Sequence, residues 1–274
     1  MIVDAHCHAW RRWPYRPRVP DCRERGRVEQ LLWEMDRHGV GRAVLVCARI
    51  ENNADNNEYV ARCVAAAPER LVQFADVDCS WSAAYHRPGA AARLAAAAAH
   101  HRLRGFTHYL REDQDWFASD EGEAFWRCAA DRGLIASVSL TPAWQPALRV
   151  LAARYPAITF LCHHLAGARA ADPAGIDAVV ASAGQPNIWI KLSGFHYAAA
   201  RPWDYPQADA IQVARRLCDA FGPERLCWGS DYPVARFFVT YQQTLEVVRT
   251  HCGFLRPADL ELVLGGNMER LLAG

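Results

Sequence analysis

The chain alternates short apolar runs with longer segments in which apolar residues recur at helical spacing. Short β-rich runs separated by helices of this length predict βαβ units and a parallel sheet. The apolar runs are Ile2–Ala5, Ala43–Val46, Val72–Ala75, Leu103–Phe106, Ile135–Leu140, Ile158–Cys162, Ile188–Leu192 and Leu226–Trp228. The predicted helices between them include Val28–His38, Asn57–Ala66, Ala90–His101, Gly122–Asp131, Trp144–Arg154, Ala174–Ala183 and Ala208–Phe221.

Eight such units favour a closed (β/α)8 TIM barrel over an open sheet, and we allow for slight distortion of that barrel. A length of 274 residues is typical of an α/β barrel that forms one domain. Because no linker rich in Gly, Pro or Ser interrupts the chain, we predict a single domain over residues 1–274. No GxGxxG motif follows the first strand, which removes the main support for a dinucleotide-binding fold.

Composition narrows the classes of partner. The net charge is +1 and no long basic run occurs, which disfavours nucleic acid. No apolar stretch has the length of a membrane span, and we expect no signal peptide before the first strand and a cytoplasmic location. The ten cysteines are scattered and form no C-x-x-C pair, so we interpret them as buried apolar residues in a reducing compartment. The sequence leaves open whether the chain forms a homo-oligomer.

The pair His6 and His8 follows the first predicted strand directly. Residues two apart on a strand point to the same face, so the two imidazoles are expected side by side. This arrangement suits a metal site or a site of proton transfer.

Polar residues also follow the other predicted strands. Because the active site of a barrel lies at the carboxyl ends of its strands, we expect these residues to surround one site. They include Arg49, Asp76, Asp78, His108, Arg111, Ser137, His163, His164, Lys191, Ser193, His196 and Asp231. Neighbouring residues of a strand face opposite sides, so we expect only one of His163 and His164 to point into the barrel, and strand phase alone does not choose between them.

Lys191 is the only lysine in a chain that otherwise uses arginine as its cation. This exception indicates a position that needs a compact ammonium group rather than a planar guanidinium. With two or three imidazoles and one carboxylate nearby, the chemistry that fits best is hydrolysis. Such a set binds a divalent metal, typically Zn²⁺, and leaves a position for water, while the carboxylate can accept a proton from that water.

Five motifs in this order carry a resemblance that spans nearly the whole chain. They are Asp4-Ala5-His6-Cys7-His8-Ala9-Trp10, Cys162-His163-His164-Leu165-Ala166-Gly167, Lys191-Leu192-Ser193-Gly194, Trp228-Gly229-Ser230-Asp231-Tyr232-Pro233 and Gly266-Asn267-Met268-Glu269-Arg270-Leu271. The chain resembles the amidohydrolase-related (amidohydrolase-2) family of metal-dependent TIM-barrel hydrolases. The D-H-L-G pattern of that family places its histidine at His164. The segment from Arg104 to Asp113 is similar to the sugar-lactone and 2-pyrone-4,6-dicarboxylate lactonases.

The resemblance implies a lactonase in which Asp231 is the general base and His164 and Lys191 are further catalytic residues. Lys191 would stabilise the carbonyl oxyanion or bind a carboxylate. The implied ligands of one divalent ion, Zn²⁺, are His6, His8, His164 and Asp231. A two-metal site is not expected, because the fourth strand has Arg104 where the binuclear branch has a carbamylated lysine, and the fifth strand has serines.

The substrate implied by these residues is a small anionic or polyhydroxylated molecule, since arginine favours bidentate contact with a carboxylate. The candidate substrate-binding residues are Arg49, His108, Arg111, Ser193, His196 and Tyr232. Three alternatives stay open. The first is a metal-free lactonase, in which the histidines would bind or polarise the substrate. The second is a metal-dependent decarboxylase of an aromatic or muconate-type acid, with Asp231 protonating a ring carbon. The third is an inactive barrel that acts as a binding protein. The presence of every residue type expected as a metal ligand at the strand ends argues against this alternative.

Overall fold

The fold is an eight-stranded parallel barrel, seen in a computed structural model that describes residues 1–12, 14, 25–111 and 113–274. Each strand pairs with the next one along the chain, as the order of apolar runs predicts. The strands are β1 (Ile2–Cys7), β2 (Val40–Val46), β3 (Leu71–Asp76), β4 (Gly105–Tyr109), β5 (Ile135–Ser139), β6 (Phe160–Cys162), β7 (Ile188–Leu192) and β8 (Leu226–Trp228). The predicted (β/α)8 fold is therefore confirmed.

The helices form the outer layer, and each predicted helix is present. They are α1 (Val28–His38), α2 (Asn56–Ala66), α3 (Ala90–His101), α4 (Asp120–Asp131), α5 (Gln145–Arg154), α6 (Pro173–Val180), α7 (Phe195–Ala198), α8 (Ala208–Phe221), α9 (Tyr241–Arg249), α10 (Pro257–Glu261) and α11 (Asn267–Ala273). The sequence analysis did not predict α7, α9, α10 and α11. A π-helical turn, Leu262–Gly266, joins α10 to α11. Among the described residues, no helix has both the length and the apolar character needed to cross a bilayer.

Two apolar layers follow from the alternation of side chains along the strands. The larger layer lies between the sheet and the helices and includes Ala43, Leu45 and Phe106. The smaller one fills the barrel interior with the alternate residues Val3, Ala5, Val44, Phe74, Ile135, Leu161, Trp189 and Cys227. Met268 and Leu272 of α11 belong to the interior cluster, so α11 covers the end of the barrel at which the strands begin. The opposite end, where the strands terminate, is left for polar residues.

The barrel is closed beyond the end of β8 rather than along it. The amide of Asp231 donates to the carbonyl oxygen of His6 at 2.9 Å, and the amide of His8 donates to the carbonyl oxygen of Tyr232 at 2.7 Å. Asp4 adds a side-chain link, because its two carboxylate oxygens accept from the amide and the hydroxyl of Ser230 at 3.0 and 2.6 Å. The backbone that follows β8 is therefore held directly against the two histidines of β1.

Candidate active site

The histidines of β1 reach the barrel interior through an irregularity in that strand. Val3 and Ala5 face inward, so strict alternation would turn His6 and His8 toward the helices. The pairing of β1 with β2 shifts register between Asp4 and Cys7, and this shift changes the phase of the strand. Cys7 then packs in the outer layer, while the Nε2 atoms of His6 and His8 lie 3.3 Å apart.

Asp231 lies at the centre of a ring of imidazoles. Its backbone is left-handed, with φ of 55°, and its side chain is buried. One carboxylate oxygen, Oδ1, lies 3.6 Å from Nε2 of both His6 and His8 and 3.8 Å from Nε2 of His164. The other oxygen, Oδ2, accepts a 2.8 Å hydrogen bond from the hydroxyl of Tyr197. His196 Nε2 lies 3.8 Å from the same oxygen.

His163 and His164 both face this cluster, so the expectation that only one of them would do so is wrong. Their rings lie 4.4 and 4.6 Å from the ring of His6, and the three histidines form one group of potential metal ligands. Strand alternation does not apply because β6 ends at Cys162. The backbone is left-handed from His164 to Ala166, and this turn brings His164 to the side that His163 already faces.

Lys191 belongs to a buried polar network beneath His6. Its Nζ lies 2.9 Å from Nδ1 of His6 and donates to Oγ of Ser137 at 2.8 Å. The hydroxyl of Ser137 lies 2.7 Å from Nε2 of His163. Lys191 is fully buried, so this network holds the two histidines from the inside of the barrel.

Burial and neighbouring charges set the protonation of these groups. Burial lowers the pKa of His164 to about 4 and that of Lys191 to about 7, and it holds the pKa of His6 well below its usual range. Burial alone would raise the pKa of Asp231. His164 and His8 outweigh that effect and lower the pKa of Asp231 to about 2. At neutral pH the site therefore presents the carboxylate of Asp231 beside the neutral imidazoles of His6 and His164.

The donor set fits one divalent metal ion. His6, His8 and Asp231 offer ligand atoms 3.3–3.6 Å apart, and a tetrahedral zinc with bonds of about 2.0–2.1 Å places its ligands roughly 3.4 Å apart. Nδ1 of His8 faces the carbonyl oxygen of Val46, which requires a proton on Nδ1, so Nε2 would be the atom of this ring that binds a metal. His164 approaches the same oxygen of Asp231 from the β6 side.

A family model described as amidohydrolase matches residues 3–273, which is almost the whole chain. The chain belongs to the amidohydrolase family. The resemblance inferred from the five motifs is thereby confirmed, and the match includes the histidines of β1 and the Asp231 loop after β8.

One curated relative of this amidohydrolase is the L-fucono-1,5-lactonase of Burkholderia ambifaria, which is 33% identical over 190 residues. The match covers 65% of this chain and 64% of the relative, which is less than two thirds of the relative's length. Among solved structures, a probable 2-pyrone-4,6-dicarboxylic acid hydrolase from Acinetobacter baumannii, with citric acid bound, superposes with a TM-score of 0.78. An amidohydrolase from Burkholderia multivorans with bound zinc superposes with a TM-score of 0.76. Identities are 19% and 21%, each with 100% of this chain and 99% of the other covered, so both likenesses support the fold.

The predicted substrate-binding residues of this amidohydrolase differ in where their side chains lie relative to the Asp231 cluster. Ser193 and His196 are brought to the cluster: the hydroxyl of Ser193 lies 3.0 Å from Nδ1 of His164, and His196 faces Asp231. Arg49 and Arg111 are exposed beyond the ends of β2 and β4. The guanidinium of Arg49 donates to the carbonyl oxygen of Ala54 in its own loop.

His108 and Tyr232 point away from the cluster, which corrects their prediction as substrate-binding residues. His108 shares the outward face of β4 with Phe106 and packs beside Phe125 of α4, because alternate residues of a strand face the helices. The ring of Tyr232 packs against Tyr241 of α9, and its hydroxyl donates to the carbonyl oxygen of Arg25. Both side chains are buried in the outer layer.

The two carboxylates at the end of β3 have structural partners. Asp76 accepts from the amide of Arg49 and from the indole of Trp81, each at 2.7 Å. Asp78 accepts from the guanidinium of Arg93 and from the amide of His86.

A cavity of about 450 Å³ opens beside the cluster. Its lining includes Ser139, Thr141, His163, His164, Arg169 and Tyr197. The sequence analysis missed Tyr197, which follows His196 directly and carries no motif of its own. It also gave no role to Asp4, which binds Ser230 across the barrel closure. The place of Asp4 in the first motif was the signal that could have indicated this role.

Proposed function

We propose that this amidohydrolase opens a lactone ring by water attack and that it does so as a single domain over residues 1–274. The observation that carries the proposal is the position of the Asp231 carboxylate, which is held among the imidazoles of His6, His8 and His164 next to a cavity. A carboxylate so placed can accept a proton from a water molecule that attacks an ester carbonyl in the cavity. The name L-fucono-1,5-lactonase of the curated relative supports the same class of substrate.

Asp231 would accept the proton at Oδ1, the oxygen that faces His6, His8 and His164. Oδ2 is already bonded to the hydroxyl of Tyr197, so Tyr197 would hold the carboxylate in one orientation during the reaction. His164 is the imidazole of this set that borders the cavity, with 16% of its side chain exposed. It would contact the substrate, and Ser193 would fix its ring through Nδ1.

We assign His6, His8, His164 and Asp231 as ligands of one divalent ion, with zinc as the expected metal. When bound there, such an ion would polarise a substrate carbonyl and favour ionisation of water. The close spacing of the ligand atoms and the tautomer of His8 support this assignment.

The burial of Lys191 changes the role expected for it. Its Nζ contacts His6 and Ser137 inside the barrel, and the side chain has no exposed surface, so it would act through His6 rather than on the carbonyl oxygen. We therefore propose that Lys191 is a positioning residue. An uncharged Lys191 can accept a hydrogen bond from the N–H of Nδ1 of His6, which leaves the Nε2 lone pair of His6 free for a metal.

The proposed substrate is a small sugar-acid lactone or a pyrone- or muconate-type lactone. The residues that line the cavity include Ser139, Thr141 and Arg169, and hydroxyl and guanidinium groups bind polyhydroxylated or anionic molecules. Its volume of about 450 Å³ lies in the range of small-molecule sites.

The test is a panel of sugar-acid 1,4- and 1,5-lactones and of pyrone and muconate lactones, followed by release of acid in a weak buffer. Each rate is compared with a protein-free blank, since lactones open slowly by themselves. We expect at least one lactone to be opened by the wild type and not by Asp231→Asn. Release of carbon dioxide from an aromatic or muconate-type acid, with no lactone opened, would instead establish the decarboxylase.

A further inference from the structure

A second group of metal-ligand side chains lies on the outer layer of the barrel. Glu58 is in the first turn of α2, and His100 and His101 end α3. Nε2 of His100 lies 3.5 Å from Oε2 of Glu58, and Nε2 of His101 lies 3.4 Å from Oε1. The three potential ligand atoms lie within 4.8 Å of one another.

The group is separate from the cluster around Asp231. Val60 of α2 and Leu94 and Ala98 of α3 are buried in the layer between the helices and the sheet, so both helices pack on the outside of the barrel, whereas the Asp231 cluster lies inside it. The side chains of Glu58 and His100 are 51% and 68% exposed, whereas that of His101 is 5% exposed. One ligand is therefore held by packing, and the other two face solvent, where a metal ion can enter.

The geometry points to a second transition-metal site, formed by Glu58, His100 and His101, that takes Zn²⁺ or a similar borderline cation. Two imidazole nitrogens and one carboxylate are a common zinc ligand set, with the fourth position left for water. Imidazole ligands disfavour the hard cations Mg²⁺ and Ca²⁺. The separations of 3.4 and 3.5 Å run to different oxygens of Glu58, and with one ligand atom per residue the three atoms lie within 4.8 Å of one another. A tetrahedral zinc site has roughly 3.4 Å between ligands, so side-chain movements of about 1 Å would complete it.

A simple ion pair between glutamate and histidine is the other explanation of this contact, and the chain contains a reference case for it. His38 and Glu34 of α1 approach to 3.6 Å one helical turn apart, but among the described residues no third ligand joins them in a metal-ligand group. The group on α2 and α3 differs because two imidazoles from one helix meet the two oxygens of one carboxylate from another. A bound ion would therefore connect α2 to α3.

The experiment is equilibrium dialysis of metal-free protein, without an affinity tag, against zinc chloride. Wild type is compared with Glu58→Gln, His101→Gln and His100→Gln, and with His38→Gln as the matched control. His100→Gln alters an exposed side chain, so it keeps the test valid if a change at the more buried His101 impairs folding. We expect each of the three site variants to bind one zinc ion fewer per chain than wild type, or to bind that ion at least about tenfold more weakly. The control should bind as wild type does.

The position of the ion is established by anomalous scattering at the zinc edge from crystals of the zinc-loaded wild type. A peak between the carboxylate of Glu58 and the two imidazoles is expected. Equal zinc binding by wild type and His100→Gln, or the absence of that peak, would overturn the proposal. The readout is metal content rather than catalysis, so it does not depend on the proposed lactonase activity.

Discussion

At the scale of single residues, the proposed reaction depends most on Asp231. We predict that Asp231→Asn lowers kcat by about 10²–10⁴-fold, because an amide cannot accept the proton that a carboxylate accepts. The measurement is the initial rate of lactone opening, with the urea midpoint as a check that the fold is retained. Asp177→Asn, which removes an exposed carboxylate paired with Arg216, is the matched control and should keep full activity. An active Asp231→Asn protein would refute the role of Asp231 as base.

Lys191 allows an unusually direct test, because it is the only lysine of the chain. Protein labelled with ¹³C at lysine Cε should show one lysine signal, and its chemical shift reports the charge of Nζ. We predict a titration midpoint at about pH 7, because burial disfavours the ammonium form and lowers the pKa of Lys191 from 10.5 to about 7. The amine should be protonated below that pH and neutral above it. A midpoint near 10 would show instead that Lys191 stays charged beside His6.

Single residues also show that a position at the end of a strand does not by itself place a side chain in the site. His108 and Ser193 both belong to the carboxyl ends of their strands, yet one faces the helices and the other lies beside His164. Position along the strand was visible in the sequence. Which face each residue occupies depends on strand phase, and phase depends on pairing with neighbouring strands.

At the scale of elements, the contact between β1 and the segment after β8 positions the site. Gly229 permits it, because a Cβ atom there would lie 2.6 Å from Cβ of His6. Asp4 stabilises this contact, because its carboxylate accepts hydrogen bonds from Ser230 and from the amide of His6. The position of the site therefore depends on the contact between β1 and the segment that follows β8.

We predict that Asp4→Ala destabilises the protein by about 3 kcal/mol, because it leaves several buried donors without an acceptor. The measurement is the free energy of unfolding in urea. Asp172→Ala is the comparison, since it removes one exposed helix cap on α6 and should cost about 1 kcal/mol. Equal losses in the two variants would show that Asp4 is not important for closure.

Two irregular elements bring histidines to the site. The register shift in β1 turns His6 and His8 inward, and the left-handed turn after β6 adds His164 to His163. Regular strands would have sent some of these imidazoles to the outer layer. The positions of these histidines in the barrel are therefore produced by departures from the strand periodicity that predicts the fold.

At the scale of the whole molecule, the expected metal links β1, β6 and the β8 loop. We predict that removal of metal by a chelator lowers lactone hydrolysis at least about 10²-fold and lowers the melting temperature, since an ion bound only by the folded protein stabilises it. Zinc chloride should restore both. The chelation experiment is best done with the His100→Gln variant. This variant lacks the proposed site at Glu58, His100 and His101, so its metal content reports the Asp231 site alone. Full activity of the metal-free protein would establish the metal-free mechanism.

The sequence by itself determined the order and number of the strands, seven of the helices around them, the barrel and the family. These features depend on local periodicity and on short motifs, which are present in the chain before it folds. The prediction of polar residues at the strand ends follows from the same source, since the barrel places those ends together.

Only the tertiary structure decided which of those residues meet. It brought Tyr197 to Asp231, placed Lys191 beneath His6, and turned Tyr232 toward Tyr241. Each of these contacts joins residues far apart in the chain or depends on a local change of backbone phase. Such contacts arise from barrel closure and side-chain packing, and a periodic pattern of apolar residues contains no record of either.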